Sequence, residues 1–327
     1  MASRPRFTEK ENFTRVVTWN HPSHVSYPPP SRAVAYQGAW PSDARPSPQT
    51  MQWRDEWGVT WTEVDGEAFP TGPAIASLAD LDRLRPPDPH APERMTRALE
   101  AAVKVDRSRY FLGVGHPYFL YEKAINVLGA GEALLGLVAE PDRMHRLLDI
   151  FMDFEMGIAE RQVELLRPDH INIGDDYGMQ DRLTMSPAQW REFFKPRIKR
   201  LIDFYRERLG DDIVVSHHSC GHIMPIAVEL AEVGVRVLHP VQTTANDLAE
   251  LRRITSHKLT LAGGIDGQRI LPLGTPEDVR AEVFRKMDLL WEDGGYLPMA
   301  EKDLGVSEAN KKAMNDAIRE WGEKNVG

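Results

Sequence analysis

The sequence has a single cysteine, Cys220, among its 327 residues, so no intrachain disulfide can form. It also lacks an uncharged apolar run long enough to span a membrane. Its first residues, MASRPRFTEKENF, lack the apolar core of a signal peptide. From these three absences we expect a cytoplasmic protein that works away from membranes.

The chain has no excess of positive charge. Its 40 Lys and Arg residues are outnumbered by 49 Asp and Glu, which gives a net charge of −9, and no run of basic residues is long enough to follow a phosphate backbone. We therefore expect no nucleic acid partner, and small molecules or proteins remain. Apolar residues at 42% and charged residues at 27% are typical of a globular chain with a large core and exclude a disordered protein.

Proline is concentrated near the start of the sequence and separates an extension from the rest of the chain. A short helix is predicted around Glu9 to Val17, after which the prolines favour a loop. The segment Trp53 to Trp61 alternates aromatic and polar residues around Gly58, which predicts a hairpin or strand. The three tryptophans there are more typical of core than of a substrate platform. We expect residues 1–92 to form an extension with a hairpin that packs on the catalytic domain.

From residue 93 onward, short β-type runs alternate with long amphipathic segments. The predicted strands are 110–114, 170–173, 213–216, 235–238, 259–262 and 296–299. The predicted helices are 118–128, 132–166, 187–209, 223–233, 248–254, 276–291 and 307–321. The last four strands begin 22, 24 and 37 residues apart, which is the spacing of βα units.

Such alternation predicts a parallel sheet, which is either open and doubly wound or closed as a barrel. A doubly wound nucleotide fold would carry G-x-G-x-x-G after an early strand, and neither Gly113-Val114-Gly115 nor Gly129-Ala130-Gly131 completes that pattern. We therefore expect an α/β fold, a single (β/α)8 TIM barrel over residues 93–327 with an irregular proline-rich amino-terminal extension.

Functional groups of such a barrel come from the carboxyl ends of the strands, where this sequence is unusually polar. The candidates for catalysis are His116, Asp175, Asp176 and His239. The candidates for substrate binding are Tyr118, Tyr177, Met179, Gln180, Gln242 and Asp266. Neighbouring side chains on an extended segment point in opposite directions, so at most one of Asp175 and Asp176 should face the cavity, and a capping role is equally open. The aromatic candidates are equally well explained as core.

The pair His218 and Cys220 is the strongest constellation. Residues i and i+2 project to the same side of a strand, so an imidazole nitrogen and a thiolate can reach one cation. Zinc accepts both ligand types, and a catalytic site needs three protein ligands and an open position. With no second cysteine, the third ligand must be a carboxylate or a histidine, and Glu301 follows the last predicted strand. The alternative is that Cys220 is a small buried apolar residue.

Three motifs resemble the uroporphyrinogen decarboxylase superfamily: HSCG at 218–221 and GGID at 263–266, which each follow a strand, and GTPEDV at 274–279, which opens the next helix. The likeness extends roughly from Trp53 to Trp321 and implies a single-domain (β/α)8 barrel. True decarboxylases of the superfamily carry an amino-terminal R-Q-A-G-R segment, which is absent from VSYPPPSRAVAYQGAWPSDARP here. The segments DEWGVTW, GDDYGMQ and TMSPAQWREFFKPRIKRLI resemble its zinc-dependent methyltransferase branch instead.

That resemblance implies zinc held by His218, Cys220 and a later residue near the last strand, often a second cysteine. When the family's position for this later ligand is counted back from Asn310, it falls on Ala300. A gap of one residue in that alignment moves the position to Glu301. The implied reaction moves a methyl group from a small methoxylated or N-methylated donor to a corrinoid. No D-x-H-x-x-G cobalamin pattern occurs here, so a separate corrinoid protein is the expected partner.

Two other functions remain open. One is a metal-free carboxy-lyase in which Asp175, Asp176 or Asp266 positions a protonated group. The other is a non-catalytic barrel that binds a ligand or a partner, although gathering so many polar groups at strand ends argues against it. A homodimer is the default expectation for the assembly.

Overall fold

The computed structural model describes residues 7–302 and 305–326, so the first six residues of the expected extension lie outside it. Its centre is a sheet of seven parallel strands in the order β1-β5-β6-β7-β8-β9-β10. The strands are β1 (Ser31–Ala33), β5 (Phe111–His116), β6 (His170–Gly174), β7 (Val214–His218), β8 (Val237–His239), β9 (Thr260–Ile265) and β10 (Tyr296–Ala300). From β5 onward, strands that are consecutive in the sequence are neighbours in the sheet, which is the arrangement that βα units produce.

Six of these seven strands were predicted, and each begins within two residues of its expected start. The missed strand is β1, which pairs in parallel with β5 through Ser31 and Phe111. It has only three residues and follows a run of prolines, so it offers no alternation to read. The segment expected to be an extension therefore contributes an edge strand to the main sheet, while the division at residue 92 stays a prediction.

The sheet curls, because residues from five of its strands share one core. Phe111 of β5 and Leu297 of β10 pack in a single cluster with one residue each from β7, β8 and β9. Phe13, Val16 and Val17 of helix α1 (Glu9–Val17) complete that cluster. Among the described residues no hydrogen-bonded pairing joins β1 to β10. The fold is thus a curled, TIM-like parallel sheet, and closure as an eight-stranded barrel stays a prediction.

Helices follow the strands as expected, and prolines divide two of the long ones. The helices are α2 (Thr96–Ala102), α3 (Tyr121–Leu128), α4 (Ala130–Ala139), α5 (Pro141–Leu166), α6 (Pro187–Phe193), α7 (Lys195–Leu209), α8 (Met224–Glu232), α9 (Leu248–Thr255), α10 (Ile270–Leu273), α11 (Pro276–Leu290) and α12 (Glu308–Asn325). The helix predicted over 132–166 breaks before Pro141, and the one over 187–209 breaks before Pro196, since a proline cannot continue the preceding helix. In the described part, no helix is long and apolar enough to cross a bilayer.

The predicted hairpin forms a small antiparallel sheet beside the main one. Its strands are β2 (Gln52–Arg54), β3 (Thr60–Val64) and a third, unpredicted strand, β4 (Glu67–Gly72). Trp57, in the turn between β2 and β3, packs edge-on against Phe151 and Phe154 of α5, with ring centroids 5.2 Å apart in both cases. This contact fixes the hairpin to the helical layer around the main sheet.

Candidate metal centre

Three side chains with metal-binding atoms converge where β6 and β7 end. The ligand atoms of Asp176, His218 and Cys220 all lie within 4.8 Å of one another. His218 Nε2 is 3.5 Å from Cys220 Sγ and 3.6 Å from Asp176 Oδ1. Because β6 and β7 are parallel neighbours, with Gly174 opposite His218, the residues after both strands meet at one edge of the sheet.

Two glycines let the loops that carry these residues cross. A Cβ at Gly178 would lie 2.5 Å from the carbonyl oxygen of Cys220, and one at Gly221 would lie 2.4 Å from the carbonyl carbon of Gly178. Gly221 also has φ +81°, a conformation that other residues rarely adopt. The backbone amide of Cys220 donates to Asp176 Oδ1 at 2.7 Å, which ties the two loops together.

His239 at the end of β8 contacts the other nitrogen of His218. The two Nδ1 atoms are 2.9 Å apart, so one ring donates and the other accepts. This leaves His218 Nε2 directed at Asp176 and Cys220. Burial lowers the pKa of His218, and burial with the nearby His218 lowers the pKa of His239 to about 3. Both rings are therefore neutral near pH 7, which is the state in which imidazole binds metals.

The donor atoms at this site are chemically suited to a cation. Burial, and next the carboxylate of Asp176, raise the pKa of the thiol to about 12, so without a cation it keeps its proton. A divalent cation would replace that proton and compensate the neighbouring carboxylate. A sulfur, a nitrogen and a carboxylate oxygen together match the ligand preference of zinc.

Glu122 of α3 also belongs to this site, and sequence reasoning missed it. Its Oε2 accepts a hydrogen bond from the backbone amide of Asp176 at 3.3 Å. Burial, and then the carboxylates of Asp176 and Asp175, raise the pKa of Glu122 to about 9. No motif marks this residue, and the only signal is its place in the first turn of the helix that follows β5.

Asp175 turns away from the metal group and holds α3 in place. It is fully buried, and its carboxylate accepts hydrogen bonds from the backbone amides of Leu120, Tyr121 and Glu122 and from the hydroxyl of Tyr177. Burial nevertheless raises its pKa to about 6. One aspartate of the pair faces the site and the other faces the helix, as the alternation of an extended segment predicts.

Two further candidates lie in the core. His116 is fully buried, with Nδ1 2.6 Å from Glu155 and Nε2 2.8 Å from the hydroxyl of Tyr205, so both nitrogens are used by residues of α5 and α7. Tyr177 is also fully buried and stacks on His217, with ring centroids 5.7 Å apart. The core position of Tyr177 agrees with the alternative that the sequence left open, whereas no such alternative was raised for His116, and its predicted catalytic role stays a prediction.

The glutamine candidates connect loops near Cys220. Gln242 Oε1 accepts from the backbone amide of Gly221 at 2.6 Å, and Gln180 Nε2 donates to the carbonyl of Thr244 at 2.6 Å. Met179 is exposed. Gln242 fixes the loop after Cys220 to the loop after β8, and Gln180 fixes the loop after β6 to that same loop. The predicted role of all three residues in substrate binding stays a prediction.

Glu301, the expected third ligand, lies outside the group formed by Asp176, His218 and Cys220. Its Oε1 accepts a hydrogen bond from the backbone amide of Thr243 at 2.5 Å, and its Oε2 is buried without a hydrogen-bond partner among the described residues. Burial, and then the neighbouring Asp266, raise its pKa to about 7. Asp266 itself caps a turn by accepting from the amides of Gln268 and Arg269.

Comparisons with known proteins agree with this architecture. The sequence model of one protein family, uroporphyrinogen decarboxylase (URO-D), matches residues 55–321. Among solved structures, a methyltransferase from Methanosarcina mazei superposes with a TM-score of 0.70 and 18% sequence identity, over 97% of this chain and 99% of that chain. No curated protein sequence matches significantly. At this identity the structural likeness concerns the fold.

Proposed function

The chain belongs to the uroporphyrinogen decarboxylase (URO-D) family, and from this premise we propose that it is a zinc-dependent methyltransferase. Its proposed reaction moves a methyl group from a small methoxylated or N-methylated donor to a separate corrinoid protein. The observation that carries the proposal is the convergence of Asp176, His218 and Cys220 at the carboxyl ends of neighbouring strands. A decarboxylase that needs no metal has no evident use for a thiol and an imidazole arranged in this way.

We assign Asp176, rather than Glu301, as the third protein ligand. Asp176 is within 3.6 Å of His218 Nε2, and its Oδ1 is already fixed by the amide of Cys220. When bound there, zinc would supply Lewis acidity to the donor heteroatom and make the methyl group easier to remove. Glu301 instead holds the loop after β8 through the amide of Thr243.

The remaining residues position these ligands or hold a proton near them. His239 orients the ring of His218 through the contact between their Nδ1 atoms. Asp175 anchors the start of α3, and α3 in turn places the carboxyl of Glu122 beside Asp176. Glu122 is thus the group we assign to hold the proton that a departing alkoxide or amine requires.

Metal analysis of the purified protein tests this proposal. Wild type prepared with sufficient zinc should contain about one zinc per chain, the stoichiometry of a three-ligand catalytic site. His218→Ala, Cys220→Ala and Asp176→Ala should lose it, whereas Glu301→Gln should keep it. Wild type without stoichiometric zinc would refute the mechanism. If Glu301→Gln lost its zinc while Asp176→Ala kept it, Glu301 rather than Asp176 would be the third ligand.

A metal-free carboxy-lyase is the second candidate, because the matching family model is that of a decarboxylase. It predicts release of carbon dioxide from a carboxylic acid by the enzyme after its metal has been stripped. The zinc proposal predicts that chelation abolishes turnover and that added zinc restores it.

A further inference from the structure

The inner side of the curled sheet carries an asparagine that no step of the proposed function uses. Asn172, in the middle of β6, is exposed, although the residues on either side of it are buried. Asn172 and Ser216 are partners in the register of β6 and β7, as are Gly174 and His218 two residues further on. Since residues i and i+2 of a strand lie on one face, Asn172 and Ser216 face the same side of the sheet as His218.

The lower end of this inner side is closed by an apolar cluster and a layer of polar groups. Val214, two residues before Ser216, packs in the apolar cluster that α1 completes. Next to it, His170 Nδ1 is 2.8 Å from Ser31 Oγ and His170 Nε2 is 2.6 Å from Ser216 Oγ, so the ring uses both of its nitrogens. Burial lowers the pKa of His170 to about 4, so the ring is neutral near pH 7. The floor of the inner side is therefore hydrogen-bonded and uncharged.

An open space lies beside Asn172. Gly115 of β5 is its partner in the register. Apart from its chain neighbours, a Cβ at Gly115 would meet nothing within 4 Å except the carbonyl oxygen of Asn172, at 3.4 Å. At Gly113, two residues nearer to the floor, Ser31 Oγ already lies 2.9 Å from the Cβ position. The interior of a parallel barrel is normally filled by bulky side chains, so a glycine beside an exposed asparagine marks an interior cavity.

We propose that Asn172 determines specificity: its side-chain amide binds an uncharged hydrogen-bonding group, of the carboxamide or hydroxyl type, at the far end of a molecule whose other end reaches the metal group. The metal end of this inference rests on the proposed function, whereas the polar end does not. The side chain of Asn172 makes no hydrogen bond within the described part of the chain, so its two donor hydrogens and its acceptor oxygen are available. A strand rises about 3.3 Å per residue, which places the level of Asn172 and Ser216 about 7 Å from His218.

The inner side offers no positive charge for an acidic ligand. Across the seven strands, which all lie in the described part of the chain, Arg32 of β1 is the only Lys or Arg. Arg32 lies on the outer face, where its guanidinium stands over the ring of Tyr110 at 4.0 Å. Beyond the end of β10, Lys302 is held by Glu67 at 3.3 Å. A carboxylate beside Asn172 would therefore be desolvated without a counter-charge, whereas a carboxamide would carry no charge to desolvate.

This inner surface differs from the candidates that the sequence supplied. Those candidates lie at or after the ends of strands, whereas Asn172 and Ser216 lie within them. Tyr118, which was a candidate for substrate binding, packs its ring against Trp40 and Trp61 with centroids 6.0 Å apart in both cases, and its role stays a prediction. A site that hydrogen-bonds a polar group of its ligand rejects analogues that lack the group, so Asn172 gives the interior a means of selection that the metal alone does not provide.

Isothermal titration calorimetry of the zinc-loaded protein with para-methoxybenzamide tests the proposal. The ether oxygen and the carboxamide of this probe lie at opposite ends of a benzene ring, which suits the spacing between His218 and Asn172. The comparisons are para-methoxytoluene, which lacks the hydrogen-bonding group, and para-methoxybenzoate, which replaces it with a charge. We expect the benzamide to bind about tenfold more tightly than either. Equal affinity for the toluene, tighter binding of the benzoate, or no binding of the benzamide would each overturn the proposal.

Matched variants locate the binding. Asn172→Ala should remove the preference for the benzamide over the toluene, whereas Asn20→Ala, at an exposed asparagine after α1, should keep it. Gly115→Ala should weaken binding of the benzamide severalfold, because its methyl group enters the cavity in ordinary contact with Asn172. Gly131→Ala on α4, where a Cβ would meet nothing within 4 Å, should leave binding unchanged. An unchanged preference in Asn172→Ala, or equal effects of the two glycine variants, would contradict the assignment.

A last variant separates this inference from the proposed reaction. Cys220→Ala should lose zinc and methyl transfer but keep the preference for the benzamide over the toluene, because that preference comes from Asn172. Loss of the preference in Cys220→Ala would place its origin in the metal group and overturn the assignment. Normal zinc binding without the preference in wild type would refute the role of Asn172 alone. The preference in a protein that never takes up zinc would refute only the proposed function.

Discussion

The crossing of two loops at Gly178 and Gly221 should control both stability and metal binding. A Cβ at Gly178 would lie 2.5 Å from two backbone atoms, and one at Gly221 would lie 2.4 Å from a backbone carbon. Backbone atoms cannot turn aside as a flexible side chain can. Forcing extra atoms into such a contact costs about 1–3 kcal/mol. Alanine at Gly221 adds about 1–2 kcal/mol for the left-handed conformation, so we expect a total of about 2–5 kcal/mol.

Gly66 supplies the matched control. It has φ +86° in the turn between β3 and β4, and a Cβ there would meet nothing within 4 Å. Gly66→Ala therefore isolates the conformational cost of about 1–2 kcal/mol, without a clash. The φ of Gly178 is not in the positive region, so Gly178→Ala isolates the clash.

Urea unfolding of the metal-free variants measures these free energies, and zinc content measures the consequence for the site. Gly221→Ala should lose the most stability and Gly66→Ala the least. Both Gly178→Ala and Gly221→Ala should bind less zinc than wild type, since the clash displaces the loop that carries Cys220. If Gly221→Ala cost no more than Gly66→Ala and retained its zinc, the close approach of the two loops would be wrong.

The contacts of the site lead to three other predictions. His239→Ala should weaken zinc binding about 10- to 100-fold in competition with a chelator, because it frees the ring of His218; unchanged affinity would remove His239 from this role. Zinc affinity should rise about tenfold for each pH unit between about pH 7 and pH 9. The reason is that the thiol of Cys220, whose pKa is raised to about 12, must lose one proton when it binds zinc. Cys220→Ser should lose this pH dependence, and retention of it would assign the proton to another group. Asp175→Asn should lower the free energy of unfolding by about 2 kcal/mol, because an amide cannot accept all the hydrogen bonds of the carboxylate; a urea midpoint equal to wild type would contradict that account.

Local patterns were enough to predict most of the sheet and the closeness of His218 to Cys220. The spacing of β-type runs located six of the seven strands, because each is a short apolar run followed by an amphipathic helix. The alternation within a strand placed His218 and Cys220 on the same side, and the structure brings them together. It also implied that only one of Asp175 and Asp176 faces the site.

The features that escaped prediction depend on contacts between distant parts of the chain. That Asp176 joins His218 and Cys220 was not predicted, because a position along the sequence does not show how far a side chain reaches across the edge of the sheet. Glu301 as a ligand stays a prediction. Glu122 approaches Asp176 only because Asp175 fixes the start of α3. The interior cavity exists because Gly115 comes to lie beside Asn172 on the neighbouring strand, and no periodicity in either strand predicts that pairing.

X-ray absorption at the zinc edge of the purified protein tests the central claim most directly. The account predicts one sulfur scatterer at about 2.3 Å and two or more nitrogen or oxygen scatterers at about 2.0–2.2 Å, with the sulfur signal absent from Cys220→Ser. A zinc bound only by nitrogen and oxygen, or a protein that takes up no zinc, would contradict the proposed metal centre of Asp176, His218 and Cys220.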